Sequence, residues 1–169
     1  MLMTNAVRLI VVLTTVLQGF QLLGQATVAP SSQQGHLSIT FTIDGPVYVA
    51  TLRTLPPGNV PVLNARLLAR SSGRDITLDF RSTQRCDLRV RSADGKETAM
   101  WSAGRVFGQS TGRETIGVQE REVCKIGMPL GKLQAPGQGP WAAGDYTAEI
   151  WIEGHNSYMA SIPFTLRHH

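Results

Sequence analysis

Leu37-Ser38-Ile39-Thr40-Phe41-Thr42-Ile43-Asp44 alternates apolar and polar residues at every step. In an extended chain successive side chains point to opposite faces. Leu37, Ile39, Phe41 and Ile43 therefore line one face, and Ser38, Thr40, Thr42 and Asp44 the other. β-branched and aromatic side chains suit such a pleated, half-buried surface. The same period returns in Leu63, Ala65 and Leu67, in Ile76, Leu78 and Phe80, in Cys86, Leu88 and Val90, and from Tyr158 to Leu166. Gly45-Pro46, Pro56-Pro57-Gly58-Asn59, Ser71-Ser72-Gly73 and Ala93-Asp94-Gly95-Lys96 separate these runs. The Asp-Gly pair marks a hairpin, because glycine accepts the positive φ that its turn needs. Further strands are predicted over Val47–Arg53, Glu97–Trp101, Thr115–Val118, Arg121–Ile126 and Tyr146–Ile152, with Gly127–Gly144 as a crossover loop. About nine short strands at roughly 8–12-residue spacing predict an all-β protein, an immunoglobulin-like antiparallel β-sandwich. One such domain over residues 37–169 accounts for most of the chain.

The start of the chain follows a different pattern. Arg8 is followed by the apolar run Leu9 to Leu17, then by Gln18 and Gln21, and Gly24-Gln25-Ala26 closes it with small residues. A positive start, a short apolar core and a small-residue exit describe a signal peptide over residues 1–26, cut between Ala26 and Thr27. The alternative, an uncleaved anchor, calls for about 20 predominantly apolar residues. Residues 27–36 then form a flexible tail. The expected product is exported, periplasmic or secreted, and free of the membrane once the leader is removed.

Composition narrows the function classes. Of the 169 residues 42% are hydrophobic and 17% charged, too apolar for intrinsic disorder. A net charge of +4, with Lys and Arg scattered, gives no basic patch for nucleic acid. HExxH, GxSxG and P-loop patterns are missing, and the four histidines stand at the C-terminus (His168, His169), at a strand start (His36) and in a turn (His155). Asp75, Asp79, Asp87, Asp94 and Asp145 read as turn or outward-strand residues. A non-enzyme is the reading, with no metal and no cofactor. Cys86 and Cys124 fall on or near the apolar parity of their strands. In an oxidising compartment they form a disulfide if their Cα atoms lie within about 7 Å. Otherwise they are two buried thiols acting as small hydrophobes.

Asp87-Leu88-Arg89-Val90 and its Asp94-Gly95 turn lead to Trp101-Ser102-Ala103-Gly104-Arg105-Val106-Phe107-Gly108-Gln109. This arrangement resembles the BsuPI family of bacterial intracellular proteinase inhibitor domains, with its Asp-hydrophobic strand, Asp-Gly turn and Trp-Ser-x-Gly-x-x-Phe-x-Gln stretch. Asn64 to Phe80 is similar to the family's preceding strand pair, and Ala143 to Ala148 to its Pro-Gly-x-Tyr strand entry. The likeness spans roughly residues 62 to 153. It departs at Gln119-Glu120, where the family has Gly-Glu, and at Cys86, where an aromatic is common.

The resemblance implies a binding module that inhibits a serine-type proteinase by occluding its cleft. A non-inhibitory, envelope-associated structural or adhesion module is the other reading. Ser102 to Gln109 is the candidate partner loop, because binding residues sit on loops held by a rigid scaffold. Within it, Gly104 lets the chain turn, Gln109 satisfies loop backbone groups, and Arg105 suits an acidic, trypsin-like pocket. Trp101 and Phe107 are expected as structural anchors, and Tyr146 as a tyrosine corner.

Overall fold

Alternation in sequence becomes alternation in burial. A computed structural model describes residues 25–28, 37–50, 60–131 and 141–169. Residues 1–24 of the leader expected over 1–26, most of the expected tail (29–36), the loop 51–59 and the middle of the expected crossover (132–140) lie outside the described residues. Along β2 (Leu37–Ile43) every second residue is buried, and in β4 (Val62–Ser71) Leu63, Ala65, Leu67 and Ala69 do the same. With β1 (Gln25–Val28) and β9 (Arg121–Pro129) they form one sheet in the order β1-β2-β4-β9.

The second sheet contains β3 (Val47–Ala50), β6 (Cys86–Ser92), β7 (Glu97–Met100), β10 (Gly144–Ile152) and β11 (His155–His168), in the order β3-β11-β10-β6-β7. Leu88, Val90, Ala148, Ile150, Ile162, Phe164 and Leu166 bury their side chains in a single apolar cluster with Leu37, Phe41, Leu63, Leu67 and Ile126 of the first sheet. β5 (Ile76–Phe80) and β8 (Gly112–Ile116) pair as a separate ribbon. The molecule is an all-β sandwich, as the sequence period requires.

Three details differ from the sequence reading. One pairing is parallel, β3 against β11, where an antiparallel sandwich was expected. Eleven strands are described where about nine were expected. The strand that the sequence did not suggest is β1, which takes up the backbone groups on the outer edge of β2 through the register Gln25↔Thr42 to Val28↔Ile39. Thr27 and Val28, the first residues of the expected tail, are thus paired, and the Ala26–Thr27 bond lies inside a strand. Finally Asp87, read as outward-facing, is 4% exposed.

Cross-links fix the layers. Cys86 of β6 and Cys124 of β9 form a disulfide between the two sheets, with Cα atoms 6.3 Å apart. At the entry to β10 the Tyr146 hydroxyl donates to the Ala142 carbonyl, four residues upstream, at 2.8 Å. That is the hydrogen bond of a tyrosine corner. Tyr146 also stacks on Phe164, with ring centroids 5.6 Å apart. The β6–β7 hairpin closes at Gly95, whose φ of 81° is in the left-handed region that its turn demands.

Candidate functional site

The connection from β7 to β8 leaves the edge of the five-stranded sheet and crosses to the β5–β8 ribbon. It contains the whole loop singled out in the sequence. Two turns start it: Ala103 N–H donates to the Met100 carbonyl at 3.2 Å, and Arg105 N–H to the Ser102 carbonyl at 2.9 Å. Gly104 is the third residue of the second turn and has φ 75°, a conformation that disfavours any side chain with a Cβ.

Asp87 clasps the near end of the loop. Its Oδ1 accepts from Ser102 N–H at 3.1 Å and from Leu88 N–H at 2.8 Å, and its Oδ2 accepts from the Ser102 hydroxyl at 2.5 Å. Trp101 N–H donates to the Leu88 carbonyl at 2.7 Å, extending the β6–β7 ladder by one residue. A buried carboxylate is destabilising unless hydrogen bonds replace its water. These donors explain how Asp87 stays inside.

Thr83 clasps the far end. Its N–H donates to the Gly108 carbonyl at 2.9 Å, and Gly108 N–H donates to the Thr83 hydroxyl at 3.0 Å. A Cβ on Gly108 would stand 3.0 Å from Thr83 Cγ2, so glycine permits this close approach. The Thr83 turn is itself tied down by Arg85. That guanidinium donates to Glu114 at 2.7 Å and to the Ser82 carbonyl at 2.7 Å, and lies 4.5 Å above the Phe80 ring.

Between the clasps the side chains divide. Trp101 and Phe107 are half-buried with ring centroids 5.6 Å apart, and Trp101 packs on the core. Arg105 folds back. Its guanidinium carbon lies 4.5 Å above the Trp101 ring and its Nε donates to the Trp101 carbonyl at 2.8 Å. The charge expected to reach into a partner's acidic pocket therefore rests against the loop's own anchor. Gln109, expected to satisfy loop backbone groups, is exposed and bonds to no described residue. Thr83 performs that task.

Sequence reasoning missed Asp87 and Thr83 as loop supports. The signal for Asp87 was present, since it and Ser102 both belong to the matched motif, although alternation placed it on the outer face. Nothing local marks Thr83, which lies 25 residues from Gly108.

A cleft of about 880 Å³ opens beside the far clasp, with Asp79, Arg81, Ser82, Arg113, Glu153 and His155 on its walls. Arg113 donates to Asp79 at 2.8 Å, and this hydrogen bond holds the guanidinium above its ordinary pKa. The pair is exposed at the surface and holds no nucleophile beside a base. Among the described residues no group of three His, Cys, Asp or Glu side chains gathers as metal ligands. No described helix is long and apolar enough to cross a membrane.

The BsuPI family, described as intracellular proteinase inhibitor, matches residues 66–157, more than half of the chain. The matched span contains both clasps and the loop between them. No curated protein matches the chain.

Proposed function

The chain belongs to the BsuPI family, a family of proteinase inhibitors rather than of enzymes, and from that premise we propose that it inhibits a serine-type endopeptidase by seating Ser102 to Gln109 in the active-site cleft. The observation that carries this reading is the loop's double clasp. Asp87 and Thr83 hold its two ends to different strands and turns, while its middle is left to solvent. An inhibitor loop already fixed in one conformation loses little entropy on binding, which raises its affinity.

The proposal extends to where the protein acts. The leader over residues 1–26 directs export, the Ala26–Thr27 bond is cut, and the remaining chain works in the periplasm or outside the cell. The Cys86–Cys124 disulfide supports an oxidising compartment, since cytosolic thiols are kept reduced. The partner is a protein, an endopeptidase met in that compartment. The domain comprises residues 37–169, and of β1 only Thr27 and Val28, paired with Thr40 and Ile39, remain after the cut.

The experiment is a panel of serine endopeptidases of trypsin, elastase and subtilisin type, each assayed with purified protein starting at Thr27. The account expects reversible, substrate-competitive inhibition of at least one enzyme below micromolar concentration. If the folded protein inhibits none of them at micromolar concentration, the inhibitory reading fails and a non-inhibitory envelope module replaces it.

A further inference from the structure

Val106 is 98% exposed, more than any other large apolar side chain described, the next being Val118 at 62%. Its neighbours contact the Trp101 ring or the Thr83 turn. Arg105 lies over the Trp101 ring, Phe107 packs against that ring, and Gly108 is bonded to Thr83. The Val106 isopropyl group is therefore the most exposed apolar side chain of a loop in which Arg105, Phe107 and Gly108 each contact another residue, although Arg105 is itself exposed. The backbone N–H and C=O groups of Val106 and Phe107 bond to no described residue, so an endopeptidase cleft can pair with them as it pairs with an extended substrate. Transfer of an exposed apolar group from water into an apolar pocket is favourable. Valine also has little χ1 freedom to lose on binding.

We infer that Val106 is the side chain the loop presents to its proteinase, and that the primary specificity pocket of that enzyme is small and apolar rather than acidic. The inference rests on the inhibitory reading above and puts Val106 in the place expected for Arg105. An acidic pocket selects a cation, whereas a small apolar pocket takes an isopropyl group and excludes a guanidinium.

The test measures inhibition constants of the protein and two variants, Val106→Arg and Val106→Asp, against an elastase-type and a trypsin-type endopeptidase. The native protein is expected to inhibit the elastase-type enzyme at least 100-fold more tightly than the trypsin-type one. Val106→Arg should reverse that preference. Val106→Asp should weaken inhibition of the elastase-type enzyme at least 100-fold, with an unchanged Tm because the side chain touches nothing. If the native protein inhibits either enzyme and neither variant alters its constants, the assignment of Val106 is overturned while the inhibitory reading stands. Preference of the native protein for the trypsin-type enzyme overturns the small-pocket inference in the same way. Failure to inhibit any endopeptidase overturns both.

Discussion

Replacing Asp87 with Ala removes the near clasp and leaves the rest of the loop sequence intact. In the folded protein the carboxylate accepts two hydrogen bonds from Ser102 and one from Leu88, and it is 4% exposed. Hydrogen bonds to a charged group are worth roughly 1.5–3 kcal/mol each, and a buried donor left unpaired costs about 1–3 kcal/mol. Against this stands the relief of desolvating the carboxylate. The balance is a loss of about 3 kcal/mol, which at roughly 2–4 °C per kcal/mol for a chain of this size lowers Tm by about 10 °C. Freeing the backbone of two loop residues adds about 2 kcal/mol of ordering entropy to binding, a loss of roughly 30-fold in affinity. Asp87→Asn keeps an acceptor for Ser102 N–H and should recover most of both effects. Thermal melts and inhibition constants, measured well below the variant's Tm, separate the two contributions. A Tm within about 2 °C of the native value would refute the clasp as a stabilising element. A destabilised variant with undiminished inhibition would refute the role of loop rigidity in binding.

The disulfide, with a sequence separation of 38, should contribute about 4 kcal/mol on the chain-entropy account. The double variant Cys86→Ser, Cys124→Ser should therefore unfold at clearly lower denaturant, and thiol labelling of the folded native protein should find no reactive cysteine. Asp44 is partly buried, which pushes its carboxyl pKa up, but hydrogen bonds from Tyr48 and Asn64 outweigh this and hold it below its usual value of 3.8. A depressed folded pKa gives stability that is present above the unfolded value and lost as the pH falls through the folded one. Asp44→Asn should thus flatten the stability curve below about pH 4, which acid denaturation at fixed temperature will detect. N-terminal sequencing of exported protein should give Thr27 or a residue close to it, and an intact Met1 would exclude cleavage.

Period-two alternation was enough to place β2, β4, β6, β10 and β11, because each has one face on the core and side-chain direction follows from parity alone. Parity alone did not reveal that Asp87 is buried, since two of the donors that let its carboxylate be buried come from Ser102, 15 residues away. Strand order is a matter of long-range pairing, so the parallel β3–β11 contact could not be read from local pattern. The same holds for β1, where Gln25-Ala26-Thr27-Val28 carries no alternation strong enough to separate it from the end of a leader. The loop itself was legible through Trp101, Ser102, Gly104 and Phe107. The residue we infer that it presents was not. Arg105 drew attention as the one charge in the loop, and only the structure shows that its guanidinium lies over the Trp101 ring while Val106 is 98% exposed.

Hydrogen exchange of the inhibitor with and without its endopeptidase tests the central claim most directly, because it reports contact residue by residue. The account predicts new protection of the Val106 and Phe107 amides, which bond to no described residue in the free protein, and of their neighbours through Gln109. The complex should be lost when the enzyme's active site is blocked in advance by a covalent active-site reagent. Protection confined to another surface, such as the β5–β8 cleft, or a complex that persists on the blocked enzyme, would contradict it.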